Sequence, residues 1–262
     1  MSRDVIPQLL SLDQYIDLVI PRGSNELVRY IKSSTKIPVL GHADGLCSIY
    51  LEKSAEVDMA VRVILDSKTS YPAACNSVET LLVEDAALES VLPAVSETLL
   101  ANGVSLHCDA RSREVLNQKL AAHLAVRLQA SEESDYDTEH LSLVLAIKAV
   151  SSVEEAIEHI NIHGSHHTDA ILTSSAALAE QFMTSVDSAG VYWNTSTRMA
   201  DGMRYGFGTE VGVSTNKIHA RGPVGLEGLM IYKYKIRGRG HVSTAYGEGE
   251  GQKPFLHEKL PL

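Results

Sequence analysis

Long apolar runs are missing from this sequence of 262 residues. None reaches the roughly 18 residues that a membrane-spanning helix requires, so we expect no membrane-embedded segment. The first four residues include an acid and lack the arginine-rich, amphipathic pattern of a transit peptide. These absences favour a cytoplasmic protein.

Cysteine and basic residues are also scarce. The three cysteines are an odd number and no secretory leader is visible, so we expect no disulfide framework and a reducing compartment. Lysine and arginine together number 23 against 33 aspartates and glutamates, which gives a formal net charge of -10. Because nonspecific nucleic-acid affinity depends on basic side chains that neutralise phosphates, this charge argues against a nucleic-acid partner. An acidic substrate would need a local basic pocket.

Short apolar runs alternate with segments of helical periodicity along most of the chain. The apolar runs predict strands near residues 16–20, 37–40, 48–51, 80–84, 104–108, 141–147, 170–173 and 191–194. Helical spacing predicts helices near residues 26–31, 54–65, 86–102, 112–128, 153–160 and 175–187. This order predicts an α/β fold with a mostly parallel sheet and flanking helices, in which ligands gather beyond the carboxyl ends of the strands.

The composition changes after Asn194. Seven glycines lie between residues 202 and 228, among basic side chains that suit a carboxylate or a phosphate. No glycine pattern here fits a phosphate loop or a dinucleotide fingerprint, so an irregular surface loop is the alternative. Residues 232–237 alternate apolar and basic side chains, which predicts a half-exposed strand whose basic residues protect an edge.

Cys75 is the most informative single residue. It follows a predicted amphipathic helix and precedes a predicted strand, next to Pro72 and two small alanines. A thiol held in such a loop and left open to a ligand suits a nucleophile, with a buried structural cysteine as the alternative. Cys47 and Cys108 lie within predicted strands, so we interpret them as structural.

Histidines invite a comparison with zinc sites. His159 and His163 are four residues apart on one predicted helix, and His166 and His167 follow closely. The residue after His159 is Ile160, so the glutamate base of a metallohydrolase is absent, and no cysteine or carboxylate cluster completes a coordination shell. The sequence therefore predicts no metal site.

Several motifs carry a family resemblance that covers nearly the whole chain. They lie at residues 16–23, 41–47, 71–76, 163–171, 193–198, 206–212 and 219–223. In these segments the chain resembles the gamma-glutamyl phosphate reductases of the aldehyde dehydrogenase superfamily, and the C-terminal reductase half of bifunctional pyrroline-5-carboxylate synthase. The tail at residues 255–261 is more similar to the bifunctional synthase than to the bacterial single-function reductase.

The resemblance implies NADPH-dependent reduction of L-glutamyl 5-phosphate to L-glutamate 5-semialdehyde, with release of phosphate, in proline biosynthesis. In that reaction the thiol that matches Cys75 attacks the acyl carbon, and a hydride then reduces the resulting thioester; Asn76 belongs to the same catalytic motif. Glu139 lies where the wider superfamily places a glutamate on the nicotinamide ribose. Either Arg198 or Arg221 is expected to bind the substrate carboxylate through two parallel hydrogen bonds.

His42 takes the position at which hydrolytic aldehyde dehydrogenases carry a glutamate that activates water. A site that must not hydrolyse its thioester gains by lacking this base, which supports reductive chemistry over oxidation of an aldehyde to an acid. We therefore place His42 in the substrate site, with an ordinary turn residue as the alternative.

The same resemblance divides the chain into three parts: a remnant of the dinucleotide-binding lobe at residues 1–60, a catalytic lobe at 61–225, and a C-terminal strand and tail at 226–262. Family members carry a sizeable segment before residue 16, so we expect an incomplete cofactor lobe and weak NADPH binding. Related aldehyde dehydrogenases join subunits through a strand similar to residues 232–237, which predicts a homo-oligomer. The competing hypothesis is a noncatalytic fragment that acts only as an assembly partner.

Overall fold

The structure is a computed structural model that describes residues 5–42 and 44–258. The chain forms two compact units, Met1–Leu229 and Met230–Leu262. The expected boundary between residues 60 and 61 lies inside a helix of the first unit, and the roles assigned to the three parts stay predictions. None of the described helices has both the length and the apolar composition needed to cross a membrane.

A seven-stranded sheet forms the core of the first unit. Its strands are β1 Cys47–Leu51, β2 Val78–Glu84, β3 Ser105–Cys108, β4 Leu128–Ala130, β5 Val144–Val150, β6 Thr168–Leu172 and β7 Gly190–Trp193. They lie in the order β4-β3-β5-β2-β1-β6-β7, and every neighbouring pair is parallel. A separate antiparallel pair joins β8 Gly212–Ser214 to β9 Gly222–Val224. The expected α/β fold with a mostly parallel sheet is confirmed.

Helices cover both faces of this sheet. The helices of this unit are α1 Ile6–Leu10, α2 Asn25–Ser34, α3 Val57–Thr69, α4 Leu92–Ala101, α5 Ala110–Lys119, α6 Ala122–Ala125, α7 Val153–His163 and α8 Ala176–Ser185. Of these, α1 and α2 pack in a separate cluster with the segment around Val39. Within β1, Ile49 and Leu51 pack with α3, α4 and α5, whereas Tyr50 packs with α7 and α8 on the opposite face. Because both faces are covered, all five residues of β1 are buried, which explains why the strand is apolar except at Ser48.

Three predicted elements differ in the structure. The strands expected at 16–20 and 37–40 reduce to one parallel bridge between Val19 and Val39. Pro21 and Pro38 flank this bridge and cannot donate to a ladder, so the pairing ends there. The helix expected at 112–128 ends at Lys119, and α6 and β4 follow it, because pairing of β4 with β3 outweighs the local helical periodicity.

The strand expected at residues 232–237 is also absent among the described residues of the second unit. This segment belongs to no helix or strand, and Tyr232, Tyr234 and Ile236 are 94%, 88% and 95% exposed. Alternation of apolar and polar residues forms a strand only where a neighbour accepts its hydrogen bonds, and no described segment of this unit pairs with it. The predicted role of this segment in assembly stays a prediction.

Candidate active site

The candidate site lies at the amino ends of the central strands. A cavity of about 230 Å³ is lined by Arg22, Asn25, His42, Cys75, Glu139, Leu141, Val213 and eight further residues. Cys75 precedes β2, and Glu139 precedes β5. The expectation that ligands gather beyond the carboxyl ends is therefore wrong for this cavity. At the carboxyl ends of β1 and β6, the Thr173 hydroxyl donates a 2.7 Å hydrogen bond to the Glu52 carboxylate.

A tight turn holds Cys75 between α3 and β2. The Ala74 amide donates to the Tyr71 carbonyl at 3.1 Å, and the Ser77 amide donates to the Ala74 carbonyl at 2.8 Å. Gly45 packs directly against the turn, because a Cβ added there would overlap the Cys75 carbonyl and lie 2.5 Å from the Cys75 Cα. Glycine is therefore required at this position for the neighbouring loop to approach the nucleophile candidate.

Asn76 and Arg198 join this turn to the segment after β7. The Asn76 amide donates to the Ala200 carbonyl at 2.8 Å, and its side-chain oxygen accepts from the Arg198 guanidinium. The Nε of Arg198 donates to the Ser70 hydroxyl at 3.1 Å, and its guanidinium carbon lies 5.9 Å from the Tyr71 ring centroid. Arg198 is thus fixed beside the turn that carries Cys75.

The electrostatic surroundings of Cys75 keep it protonated in the absence of ligand. Burial, together with the charges of Glu139 and Glu210, raises the pKa of the Cys75 thiol to about 11. The Cys75 backbone amide and Arg198 oppose this shift. The described surroundings of Cys75 therefore do not lower the pKa of its thiol, as they would for a thiolate nucleophile. Cys47 and Cys108 are fully enclosed, whereas Cys75 is half-buried.

Two histidines converge on the thiol. One ring nitrogen each of His42 and His167 and the Cys75 Sγ all lie within 4.8 Å of one another. His167 is buried, and burial together with the neighbouring His42 lowers the pKa of its imidazole to about 3. His167 and Arg22 were not predicted as site residues. Both lie inside motifs that carry the family resemblance, and that placement is the signal that could have found them.

Glu139 faces the same cavity from the segment before β5. Its carboxylate lies 3.3 Å from the Asn25 side-chain nitrogen, which also donates to Asp44 at 2.6 Å. Beneath the cavity, Lys68 at the end of α3 forms a 2.7 Å ion pair with Glu79 in β2. Burial raises the pKa of the Glu79 carboxyl to about 7 although Lys68 lowers it, and burial lowers the pKa of Lys68.

Arg221 is not brought to Cys75. Its guanidinium contacts Asp187 at 3.1 Å and lines a different cavity of about 500 Å³, which also includes Phe207 and His219. His159 and His163 stack on α7 with ring centroids 4.3 Å apart. Within the described ranges, two clusters bring three metal-ligand atoms together, and neither contains this pair.

Comparisons with known proteins bear on the fold and the family. No family model matches the chain. A propionaldehyde dehydrogenase from Clostridium phytofermentans, 16% identical, superposes with a TM-score of 0.59 over 85% of this chain and 57% of its own. At this identity the likeness defines the fold alone, which is aldehyde dehydrogenase-like.

Relatives with higher sequence identity identify the family within this fold. A probable gamma-glutamyl phosphate reductase of Schizosaccharomyces pombe is 57% identical over 261 residues, which are 100% of this chain and 57% of the relative. The crystal structure of a gamma-glutamyl phosphate reductase from Thermotoga maritima is 38% identical, with a TM-score of 0.86 over 92% of this chain and 56% of its own. The chain therefore belongs to the gamma-glutamyl phosphate reductase family, as the sequence motifs indicated. It spans little more than half the length of these relatives.

Proposed function

We propose that this chain supplies the reactive thiol of an NADPH-dependent gamma-glutamyl phosphate reductase. The reaction converts L-glutamyl 5-phosphate to L-glutamate 5-semialdehyde and releases phosphate, as a step of proline biosynthesis. The observation that carries the proposal is the half-buried Cys75, placed in a cavity beside Arg198 in a chain whose relatives bear this name. The noncatalytic alternative does not account for a thiol held open to a cavity.

The first chemical step belongs to Cys75. Its sulfur forms a bond to the acyl carbon of the substrate, the carbon–oxygen bond to the phosphate breaks, and phosphate leaves with the electron pair. The thiol proton must leave as the new bond forms, because burial keeps the pKa of Cys75 at about 11. A ring nitrogen of His42 lies within 4.8 Å of the sulfur and is the acceptor we assign. This role keeps His42 in the substrate site, where the sequence placed it.

Arg198 is the favoured partner of the substrate carboxylate. It lies beside the turn of Cys75, whereas Arg221 faces another cavity and pairs with Asp187. Arg22 lines the same cavity as Cys75 and offers a second guanidinium for the anionic substrate. Both amide atoms of Asn76 are already bonded, so its catalytic role is to hold Arg198 and the turn in place.

The residues around Glu139 fit the nicotinamide end of the cofactor. A carboxylate at the wall of the cavity is a suitable acceptor for ribose hydroxyls. The cavity of about 230 Å³ is too small for a whole dinucleotide, so within it we place only the nicotinamide end. When bound, the reduced nicotinamide supplies the hydride that converts the thioester to the semialdehyde. The assignment of NADPH rather than NADH rests on the family resemblance.

The test is the reverse reaction with pyrroline-5-carboxylate, phosphate and NADP+. We expect Cys75→Ser to abolish activity, because a serine hydroxyl is a much poorer nucleophile at neutral pH. Cys108→Ala is the matched control, since that thiol is buried in the core, and it should retain activity. Activity that persists in Cys75→Ser would overturn the assignment.

Assembly is a separate part of the proposal. Tyr232, Tyr234 and Ile236 expose apolar surface that a second subunit would cover. Light scattering should show a homo-oligomer that Tyr232→Ser combined with Tyr234→Ser weakens. A monomer that these substitutions leave unchanged would contradict it.

A further inference from the structure

Cys75, His42 and His167 present three ligand atoms of the kind that zinc prefers. These atoms lie within 4.8 Å of one another, and the two imidazole rings meet edge to face with centroids 4.9 Å apart. In a tetrahedral zinc site, Zn–S distances of about 2.3 Å and Zn–N distances of about 2.0 Å separate ligand atoms by about 3.5 Å. The three side chains therefore need to approach one another by no more than about 1.5 Å to form such a site.

The Nδ1 atom of each histidine already has a hydrogen-bond partner. His42 Nδ1 lies 3.2 Å from the Val213 carbonyl oxygen, and because a carbonyl only accepts, Nδ1 carries the proton and Nε2 carries the lone pair. His167 Nδ1 lies 2.9 Å from the Thr168 hydroxyl. Histidines that bind metals are usually oriented by such a hydrogen bond from the nitrogen that does not bind the ion.

His167 supplies a second, independent observation. Its side chain is 1% exposed, and its Nε2 has no hydrogen-bond partner among the described residues. Buried polar atoms are nearly always satisfied, so an imidazole nitrogen left without a partner beside a thiol needs an explanation. A bound cation supplies one in the tautomer in which Nδ1 donates to the Thr168 hydroxyl, because Nε2 then offers its lone pair to the ion.

The charges around the thiol are of both signs. Glu139 and Glu210 act on Cys75 with negative charge and favour a cation, whereas Arg198 and the cavity residue Arg22 oppose it. Cys75 and His42 face the cavity, so a fourth coordination position would be open to water or to a competing ligand.

The geometry points to a zinc site formed by Cys75 Sγ, His42 and His167. The bound ion would coordinate the nucleophilic sulfur and thereby inhibit the reductase. Binding exchanges one proton for the ion: the S–H bond breaks, a Zn–S bond forms with the same electron pair, and the proton passes to the buffer. No electrons are transferred. The inhibitory consequence rests on the proposed function, whereas the metal site does not.

A second cluster, His107, Asp135 and His140, is the weaker candidate. His107 already pairs with Asp135 at 2.8 Å, and the other Asp135 oxygen accepts from the Glu132 amide at 2.8 Å. This cluster also lacks the thiolate that selects zinc over harder cations. It serves below as the internal control.

Cobalt(II) is the probe, because a Co(II)–thiolate bond gives a near-ultraviolet charge-transfer band that imidazole and carboxylate ligands do not give. We expect the purified, reduced chain to develop this band with one ion per chain, and Zn²⁺ to displace the cobalt. Absence of the band in the unsubstituted chain would overturn the site without reference to any variant.

Variants then assign the ligands. Cys75→Ser should remove the band, and His167→Gln should weaken Zn²⁺ binding at least tenfold in a competition with a chromophoric chelator. His107→Gln should leave the band and the affinity unchanged. If His167→Gln does not fold, His42→Gln takes its place. A band that survives Cys75→Ser, or one lost in His107→Gln, would place the ion elsewhere.

Measurements of reductase activity distinguish a failure of this inference from a failure of the proposed function. With reductase activity present, Zn²⁺ should inhibit it at the occupancy that displaces cobalt, and a chelator should restore it. A thiolate band together with reductase activity that persists in Cys75→Ser would support the metal site and count against the proposed function. Full activity at full zinc occupancy would refute the inhibitory role.

Discussion

Lys68 Nζ lies 2.7 Å from Glu79 Oε2, and both side chains are enclosed at 0% and 1% exposure. Lys68 lies in the last turn of α3 and Glu79 is the second residue of β2, so the pair closes the base of the turn that presents Cys75. An enclosed ion pair contributes little net stability, but removal of one partner leaves an uncompensated charge. The pair therefore fixes the relative position of the two elements that carry the nucleophile.

Lys68→Met should destabilise the protein by about 3–5 kcal/mol, because Glu79 loses the cation that compensates its buried charge. The loss should be larger at about pH 8 than at about pH 5, because burial raises the pKa of Glu79 and its carboxyl is neutral in acid. Urea unfolding at both pH values measures the loss in the free energy of unfolding. Lys53→Met, which removes the exposed pair with Glu84, is the control and should change stability little. Equal losses at both pH values would contradict the argument.

Asp169 should make the protein less stable as the pH rises. Its carboxylate is buried in β6, where it accepts from the Ser48 amide at 2.7 Å and from the Ser188 hydroxyl at 2.5 Å. Burial raises its pKa from 3.8 to about 7. Between these values the folded state holds a proton that the unfolded state has lost, so the free energy of unfolding falls with rising pH.

The matched variant is Asp169→Asn, which keeps the shape and removes the charge. Relative to this variant, the unsubstituted chain should lose up to about 4 kcal/mol between about pH 4 and pH 7. Chemical unfolding across this range provides the measurement. Parallel stability curves for the two proteins would show that Asp169 keeps an ordinary pKa.

Much of the fold follows from local pattern. The strands of the sheet appear as buried apolar runs, and α7 begins at Val153 as expected, after Ser152, whose hydroxyl accepts from the Glu155 amide. The break after Lys119 has no such signal, since no glycine or proline marks it and β4 forms only because β3 is beside it. The periodicity of a short segment carries no information about a strand that pairs with it from a distant part of the sequence.

The candidate site could be predicted only in part from the sequence. Cys75 was predicted because its loop and its motif are both local features of the sequence. The convergence of His42 and His167 on it could not be read from the sequence, because these residues are brought together by the amino ends of β1, β2 and β6. The ion pair of Lys68 and Glu79 likewise follows no sequence pattern.

Gly45→Ala should disturb the nucleophile turn. The added Cβ would overlap the Cys75 backbone, which cannot move as a flexible side chain does. We expect a destabilisation of about 1–3 kcal/mol and a changed rate of Cys75 alkylation by iodoacetamide. Gly41→Ala is the control in the same loop, because its Cβ meets only the Pro21 ring at 3.3 Å. Similar effects from both substitutions would mean that the contact with Cys75 is not the cause.

Arg198→Lys should raise the KM for the acyl substrate by about 10-fold or more, because a lysine cannot reproduce two parallel hydrogen bonds to a carboxylate and a charged hydrogen bond contributes about 1.5–3 kcal/mol. It also loses the contact with Asn76, so kcat should fall if the turn of Cys75 shifts. Arg221→Lys should leave both constants nearly unchanged, since Arg221 pairs with Asp187 and faces another cavity. Steady-state kinetics of the two variants decide between the arginines. A raised KM in Arg221→Lys alone would reverse the assignment and move the substrate carboxylate away from the cavity of Cys75.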